Sequence, residues 1–262
     1  MSRVTLTVTD HIAHVQLNRP EKRNAVDPEM IEALIATGEE VAGSNARAVV
    51  LSGAGEGFCA GIDIGSLGAM IGQDMKQVIM PRTHGGGTTN RWQEIAMIWH
   101  RLEIPVIAAL HGVCFGAGLQ IALGADIRIA APDTRLAVME MKWGIVPDMG
   151  GMVLLPRLVR SDVLRRLVYT AMPIDAVQAE RWGLVTELSE TPLEAAQNLA
   201  RNIAGKSPKA IRAAKALIAV AEEGQAGDIL MEESRLQAKL IGTAEQMEVV
   251  AAQFAKRAPV FE

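Results

Sequence analysis

The chain has 262 residues, 49% apolar and 21% charged, which suits one large domain with a well-filled core or a domain with an added helical region. A formal net charge of −4 excludes the electrostatic footprint of a nucleic-acid binder, while leaving room for a local basic patch that meets a small anion. No stretch approaches the ~20 apolar residues of a membrane helix, and the opening MSRVTLTVTDHI alternates instead of forming a signal-peptide core, so the expected setting is cytoplasmic.

Val4, Leu6 and Val8 alternate with polar residues, as do Ala13, Val15 and Leu17 beyond a turn at Asp10-His11, which predicts an opening hairpin. A polar loop, Asn18 to Ala25, follows with three cations, Arg19, Lys22 and Arg23. Asp27-Pro28 reads as N-cap and first residue of a helix with Met30, Ile31, Leu34, Ile35 and Val41 on its apolar face. Ala48 to Leu51 is a continuous apolar strand of the parallel-sheet kind. Residues 65–90 are glycine-rich and weakly patterned, a candidate mobile segment over a site, before a helical period resumes at Ile95, Ile98, Trp99 and Leu102.

Pro105 to Leu110 predicts a buried strand leading through His111–Gly118 into a helix at Leu119. Strands are expected at Asp126–Ala131, Arg135–Val138 and Leu184–Glu187, with helices filling most of the remainder. Asp175 should cap a helix, Thr191-Pro192-Leu193-Glu194 reads as a capping box and Ser207-Pro208 opens another helix. Two last helices are expected near 226–241 and 243–256. Strands alternate with helices over residues 1–190 and a helical region occupies 191–262, an α/β pattern.

Two glycine-bearing turns, Ala60-Gly61-Ile62 and Gly116-Ala117-Gly118, each follow a strand. Each can present a backbone N–H to a shared point, and two converging donors are the minimum for an oxyanion hole. The competing reading is a pair of tight turns that use glycine for positive φ. Gly116-Ala117-Gly118 lacks the full dinucleotide-binding spacing, and neither a P-loop nor a G-x-S-x-G elbow is present. The five histidines are scattered without zinc-ligand spacing, and Cys59 and Cys114 sit in apolar surroundings that suit reduced thiols.

Glu140 and Asp148 flank an apolar Trp-Gly-Ile-Val-Pro segment, and two carboxyls at one apolar place lose solvation and repel, which makes an acid/base pair available. Against this, Glu140 could pair with Lys142 or Arg135, and Asp148 could cap the next helix. Gln120, one turn after the glycine corner, should face the same site; its amide can orient a group but cannot transfer a proton at neutral pH.

In this order and spacing, Asn18-Arg19-Pro20 with Asn24-Ala25, Phe58 to Ile64, Pro105 to Ile121, Gly144 to Gly151, Ala179-x-x-Trp182-Gly183-Leu184-Val185, Ser207-Pro208-x-Ala210-x-x-Ala213-Ala214-Lys215 and the tail Phe254 to Phe261 resemble the crotonase superfamily of enoyl-CoA hydratases and isomerases. The resemblance implies a stack of ββα units in two roughly perpendicular sheets, with a C-terminal helical region that trimerises, giving a homotrimer or a dimer of trimers. It also implies an acyl-CoA thioester substrate whose oxygen accepts the N–H groups of Ile62 and Ala117 while a carboxylate moves a proton. CoA is then part of the substrate, and no metal or redox cofactor is implied. Lys22, Arg23 and Ala60 fall at CoA-contacting positions, and Lys256 and Arg257 at positions that reach a neighbouring subunit's ligand.

Hydratases of the superfamily carry two glutamates, and here those positions hold Gln120 and Glu140. The substitution favours double-bond isomerisation with Glu140 as base over hydration of a 2-enoyl-CoA in which Gln120 positions water. Asp148 matches an aspartate of the dienoyl-CoA isomerases, although those also carry an acid where Gln120 stands. A silent CoA-binding or scaffold protein is the reading from another class. The acyl pocket is expected from residues 65–100.

Overall fold

The computed structural model describes residues 2–68 and 72–261. Strands β1 (Val4–Thr9) and β2 (Ile12–Leu17) form the predicted hairpin. Asp10 and His11 sit at φ 50° and 61°, the left-handed pair that matches the twist of a two-residue hairpin. Helix α1 (Pro28–Ala42) begins as expected, with Asp27 accepting from the Met30 N–H and proline at the first turn. Strand β3 (Ala48–Gly53) follows. The glycine-rich stretch holds two short helices that pattern did not predict, α2 (Ile64–Gly68) and α3 (Met75–Ile79); residues 69–71 of that stretch lie outside the described residues. Helix α4 (Arg91–Arg101) starts in a reciprocal capping box between Asn90 and Gln93 and runs to strand β4 (Val106–Leu110).

Between β4 and the next helix, inside the stretch expected to be a turn, lies a short strand, β5 (Val113–Phe115). Helix α5 (Ala117–Leu123), strand β6 (Ile127–Ala130) and strand β7 (Arg135–Ala137) follow, then a 3-10 turn over Glu140–Trp143. Next come α6 (Gly151–Leu158), α7 (Ser161–Thr170), a two-residue strand β8 (Ile174–Asp175), α8 (Ala176–Arg181) and β9 (Glu187–Leu188). The strand expected at 184–187 begins later because the N–H groups of Leu184 and Val185 both turn back to the carbonyl of Ala179. Helices α9 (Pro192–Ala204), α10 (Pro208–Glu223), α11 (Ala226–Leu240) and α12 (Ala244–Phe254) complete the chain. Ser207 caps α10 as predicted. Thr191 makes no side-chain cap bond; its ψ of 68° is far from the extended 174° of Asp27.

The strands divide between two sheets, as the resemblance implies. The larger has the order β1-β2-β3-β4-β6-β9, parallel except for the opening hairpin; the smaller is β5-β7-β8. Residues 48–51 of β3 and all of β4 are apolar because both their faces are covered. Val49, Leu51, Val106, Ala108 and Leu110 join the main core with Ile31, Leu34, Ile95 and Trp99. Ala48, Val50, Ile107 and Ala109 face the other way and pack on Ala196 and Ala200 of α9. The last three helices differ: α10 and α11 bury no residue and α12 buries Ala252, while Ile218, Leu230, Met231, Met247 and Phe254 lie exposed. Among the described residues, no helix is long and apolar enough to cross a membrane.

Candidate active site

The two glycine turns meet because the backbone at residues 58–59 lies alongside β5. Phe58 N–H donates to the His111 carbonyl at 2.9 Å, Cys59 N–H to Val113 at 3.0 Å, and Phe115 N–H back to Cys59 at 3.0 Å. One residue further on each side, a methyl placed on Gly61 would stand 3.9 Å from the Ala117 nitrogen. Gly116 turns at φ 49° and ψ −117°, a conformation that glycine adopts without strain, and its N–H is held by the Ala137 carbonyl at 2.9 Å. That turn starts α5, whose first residue, Ala117, has no acceptor for its N–H within the helix. Ile62 is fixed from the opposite side, where the Gly61 carbonyl accepts from Val26 N–H and Asp63 N–H donates to the Val26 carbonyl, both at 2.8 Å. Among the described residues, neither the Ile62 N–H nor the Ala117 N–H donates to another group.

The loop before α1 supports this arrangement in a way that its composition does not show. Arg19, one of the three loop cations, turns inward and donates to Asp63 at 2.7 Å and to the Ala25 carbonyl at 3.0 Å. The guanidinium holds the Asp63 carboxyl below the usual carboxylate range. Asn24 is fully buried, its amide donating to the carbonyls of Ala54, Gly57 and Phe58 and its oxygen accepting from Arg19 N–H at 2.8 Å. A buried asparagine with all these bonds fixes the loop that carries Phe58 to Ile62. The only sequence signal for it was an asparagine inside a turn.

Glu140 opens the 3-10 turn after β7 and is 7% exposed. Its Oε1 accepts from Gln120 Nε2 at 2.6 Å, while Oε2 is buried without a partner. The alternative reading, a salt bridge to Lys142 or Arg135, does not form among the described residues. A methyl on Gly116 would lie 3.6 Å from Glu140 Oε1, so the carboxyl abuts the glycine corner. Desolvation raises its pKa, opposed by nearby backbone N–H groups and the Gln120 amide, with the charge of Asp148 adding to the rise. Asp148 is not a helix cap: α6 begins one turn later, with Gly150 at φ 90° as its N-cap and no side-chain cap bond. Partial burial raises the Asp148 pKa as well, although its side chain remains open to solvent at the cavity wall.

One cavity of about 790 Å³ unites most of the expected site. Lys22, Ala60, Ile62, Ala117, Glu140 and Asp148 line it. Its apolar wall comes from Met75, Ile79 and Trp92 on one side, within the 65–100 stretch expected to form the pocket, and from Trp143, Ile145, Val146 and Met149 on the other. The second side is the apolar segment between Glu140 and Asp148, and its place on the cavity wall accounts for its composition. Gln120 is not on the cavity surface; it is buried behind Glu140, with its carbonyl oxygen taken by the N–H groups of Met149 at 2.9 Å and Gly151 at 3.0 Å. Arg23 lies on the exterior beside Glu56, and Arg257 is bound to Glu248 on the C-terminal tail with Lys256 before it; none of the three lines the cavity.

Two unpaired N–H donors beside a desolvated carboxyl, in a mostly apolar cavity, can hold an oxygen that gains negative charge while a proton is removed nearby. A profile of the enoyl-CoA hydratase/isomerase family matches residues 7–262. The chain is 36% identical over 225 residues to the human mitochondrial Delta(3,5)-Delta(2,4)-dienoyl-CoA isomerase, covering 81% of this chain and 66% of that protein. It is 31% identical over 262 residues to the (E)-benzylidenesuccinyl-CoA hydratase of Thauera aromatica, covering 98% of each chain. The crystal structure of an enoyl-CoA hydratase from Bacillus anthracis superposes with a TM-score of 0.86 at 30% identity, over 99% of this chain and 98% of that one. The chain therefore belongs to the enoyl-CoA hydratase/isomerase family of enzymes, built on the crotonase fold.

Proposed function

We propose that the chain moves a double bond within an enoyl- or dienoyl-CoA thioester. The thioester oxygen accepts the N–H groups of Ile62 and Ala117. Glu140 takes a proton from the carbon next to the thioester, and the C–H electron pair delocalises onto the thioester oxygen as an enolate. The proton then returns to a carbon further along the conjugated system, the double bond shifts, and the carboxylate is regenerated. Asp148, on the same cavity wall, is the partner that carries or tunes the second transfer.

The observation that carries this reading is the neighbour of Glu140: an amide, Gln120, stands 2.6 Å away where a second carboxyl would supply another acid/base group. The likeness to a dienoyl-CoA isomerase supports it. Hydration of a 2-enoyl-CoA is the alternative, supported by the likeness to a hydratase. In that reading Gln120 would position water, but its carbonyl oxygen is already held by two backbone N–H groups. A non-catalytic CoA-binding or scaffold role is the reading from another class, and an inert chain in the assay below would favour it.

Lys22 and Ala60, at the cavity wall, are the CoA-side contacts in the single chain. Arg23, Lys256 and Arg257 join them only if a neighbouring subunit or a moved side chain brings them in. Residues 191–262 are the assembly region of this proposal, for a trimer or a dimer of trimers, and the exposed apolar residues of α10, α11 and α12 are the surface it would cover. The cytoplasm is the proposed setting.

Incubation with 2-enoyl-, 3-enoyl- and 3,5-dienoyl-CoA in D₂O, followed by mass spectrometry and NMR, tests the reaction. A shifted double bond with deuterium incorporation and no added water is expected. A 3-hydroxyacyl product from 2-enoyl-CoA, with no isomerisation, would refute the proposal.

A further inference from the structure

Gln120 is 2% exposed and every heavy polar atom of its side chain is engaged. We propose that Gln120 is a positioning residue whose amide decides which oxygen of Glu140 carries the proton and ties that carboxyl to the segment bearing Asp148. The inference rests on the reading of Glu140 as the base.

The surroundings fix which way the amide faces. Two backbone donors, the N–H groups of Met149 and Gly151, meet one end of it at 2.9 and 3.0 Å, so that end is the carbonyl oxygen. The NH₂ end must then face Glu140 Oε1, at 2.6 Å. Oε1 is an acceptor whether or not the carboxyl is protonated, because the amide offers it only hydrogen. The proton of neutral Glu140 therefore sits on Oε2, the buried oxygen with no partner. The carboxyl cannot swing to exchange its oxygens without breaking that tie.

The same amide joins two stretches far apart in sequence. Its carbonyl bonds to Met149 and Gly151 hold the backbone immediately after Asp148, while its NH₂ holds Glu140. The fit at Gly151 is close: a methyl there would stand 2.8 Å from Gln120 Oε1. A carboxylate at position 120 could still accept the two N–H groups. It would meet Glu140 lone pair to lone pair, however, and such a pair retains one shared proton to higher pH.

Gln120→Glu is the activity test. The acid limb of kcat/KM is expected to move up by at least one pH unit in a variant whose Tm is within a few degrees of the parent. An unmoved limb in a folded variant would overturn the proposal. Wild-type protein labelled with ¹⁵N-glutamine supplies a readout independent of turnover and of that variant's folding. One side-chain amide should titrate with the Glu140 carboxyl, and its titration should vanish in Glu140→Gln. The absence of any such amide overturns the tie. A titrating amide together with full activity in Glu140→Gln overturns the proposal through its premise, that Glu140 is the base.

Discussion

Cys59 and Cys114 stand side by side as a one-residue parallel bridge between the strand-like stretch before Gly61 and strand β5. Both thiols are free and fully buried; burial raises the Cys59 pKa to about 12 and the Cys114 pKa well above its ordinary value. Neither is a nucleophile in this environment. Their place in the fold is to set the two glycine turns in register, so that Ile62 and Ala117 open onto the same cavity.

Ala117→Pro removes one proposed donor at a position that suits proline, the first residue of α5. The expected loss in kcat is ~10²–10³-fold, typical of deleting an oxyanion donor. Steady-state kinetics alongside a melting curve checks it; near-parental kcat in a variant that has lost the N–H would remove Ala117 from the proposed hole.

Glu140→Gln should lower kcat by ~10²–10⁴-fold while acyl-CoA still binds, measured by calorimetry. The same variant carries a stability signature. A carboxyl whose folded pKa is raised binds its proton more tightly in the folded state, so folding is penalised as pH rises above the unfolded value and fully so above the folded one. The Tm of Glu140→Gln relative to the parent should therefore improve from about pH 4, near the ordinary glutamate pKa, towards neutrality. A Tm difference that is flat across that range would contradict the assigned desolvation.

Asp148 separates proton handling from local structure. Because it caps no helix and is open to solvent, Asp148→Asn should change stability by less than ~0.5 kcal/mol, as for an ordinary surface substitution. A tenfold or larger loss in kcat, shared by Asp148→Ala, is expected if it serves the second proton transfer. Unchanged kcat in both would leave Glu140 acting alone.

Asp63→Asn tests the support beneath Ile62. It removes the charge from a carboxyl bonded to Arg19 at 2.7 Å, at an expected cost of ~1.5–3 kcal/mol, the range for hydrogen bonds to charged groups. The sign with pH is opposite to that of Glu140. The Asp63 pKa is depressed, so its contribution is complete above the unfolded value of about 4 and is lost as pH falls through the folded one. Denaturant melts at pH 7 and below pH 3 should show the gap between parent and variant closing in acid.

Local chemistry made much of the fold legible. Asp27 before Pro28, and Ser207 before Pro208, marked helix starts because a cap bond reaches only three residues. The alternation of β2 and the apolar runs of β3 and β4 followed from which faces are covered, whereas Val8, at the far end of β1, lies exposed. What pattern missed was short or inward-turned: β5 and β8, with three and two residues, are too brief to show a period, and their pairing comes from neighbours distant in the chain. Arg19 looked like a solvated loop cation because the carboxyl that draws it inward, Asp63, is 44 residues away.

By itself, the sequence determined the order of the longer strands and helices, the family motifs, and the presence of an amide at position 120 and a carboxylate at position 140. Only the tertiary structure decided that Gln120 lies behind Glu140, not in the cavity, and that Asp148 is a wall residue and no cap. It also decided that the two glycine turns converge. The physical reason is range. Caps, turns and periodicity are settled within a few residues, whereas the direction of an amide or an N–H is set by acceptors and donors that packing delivers from elsewhere in the chain.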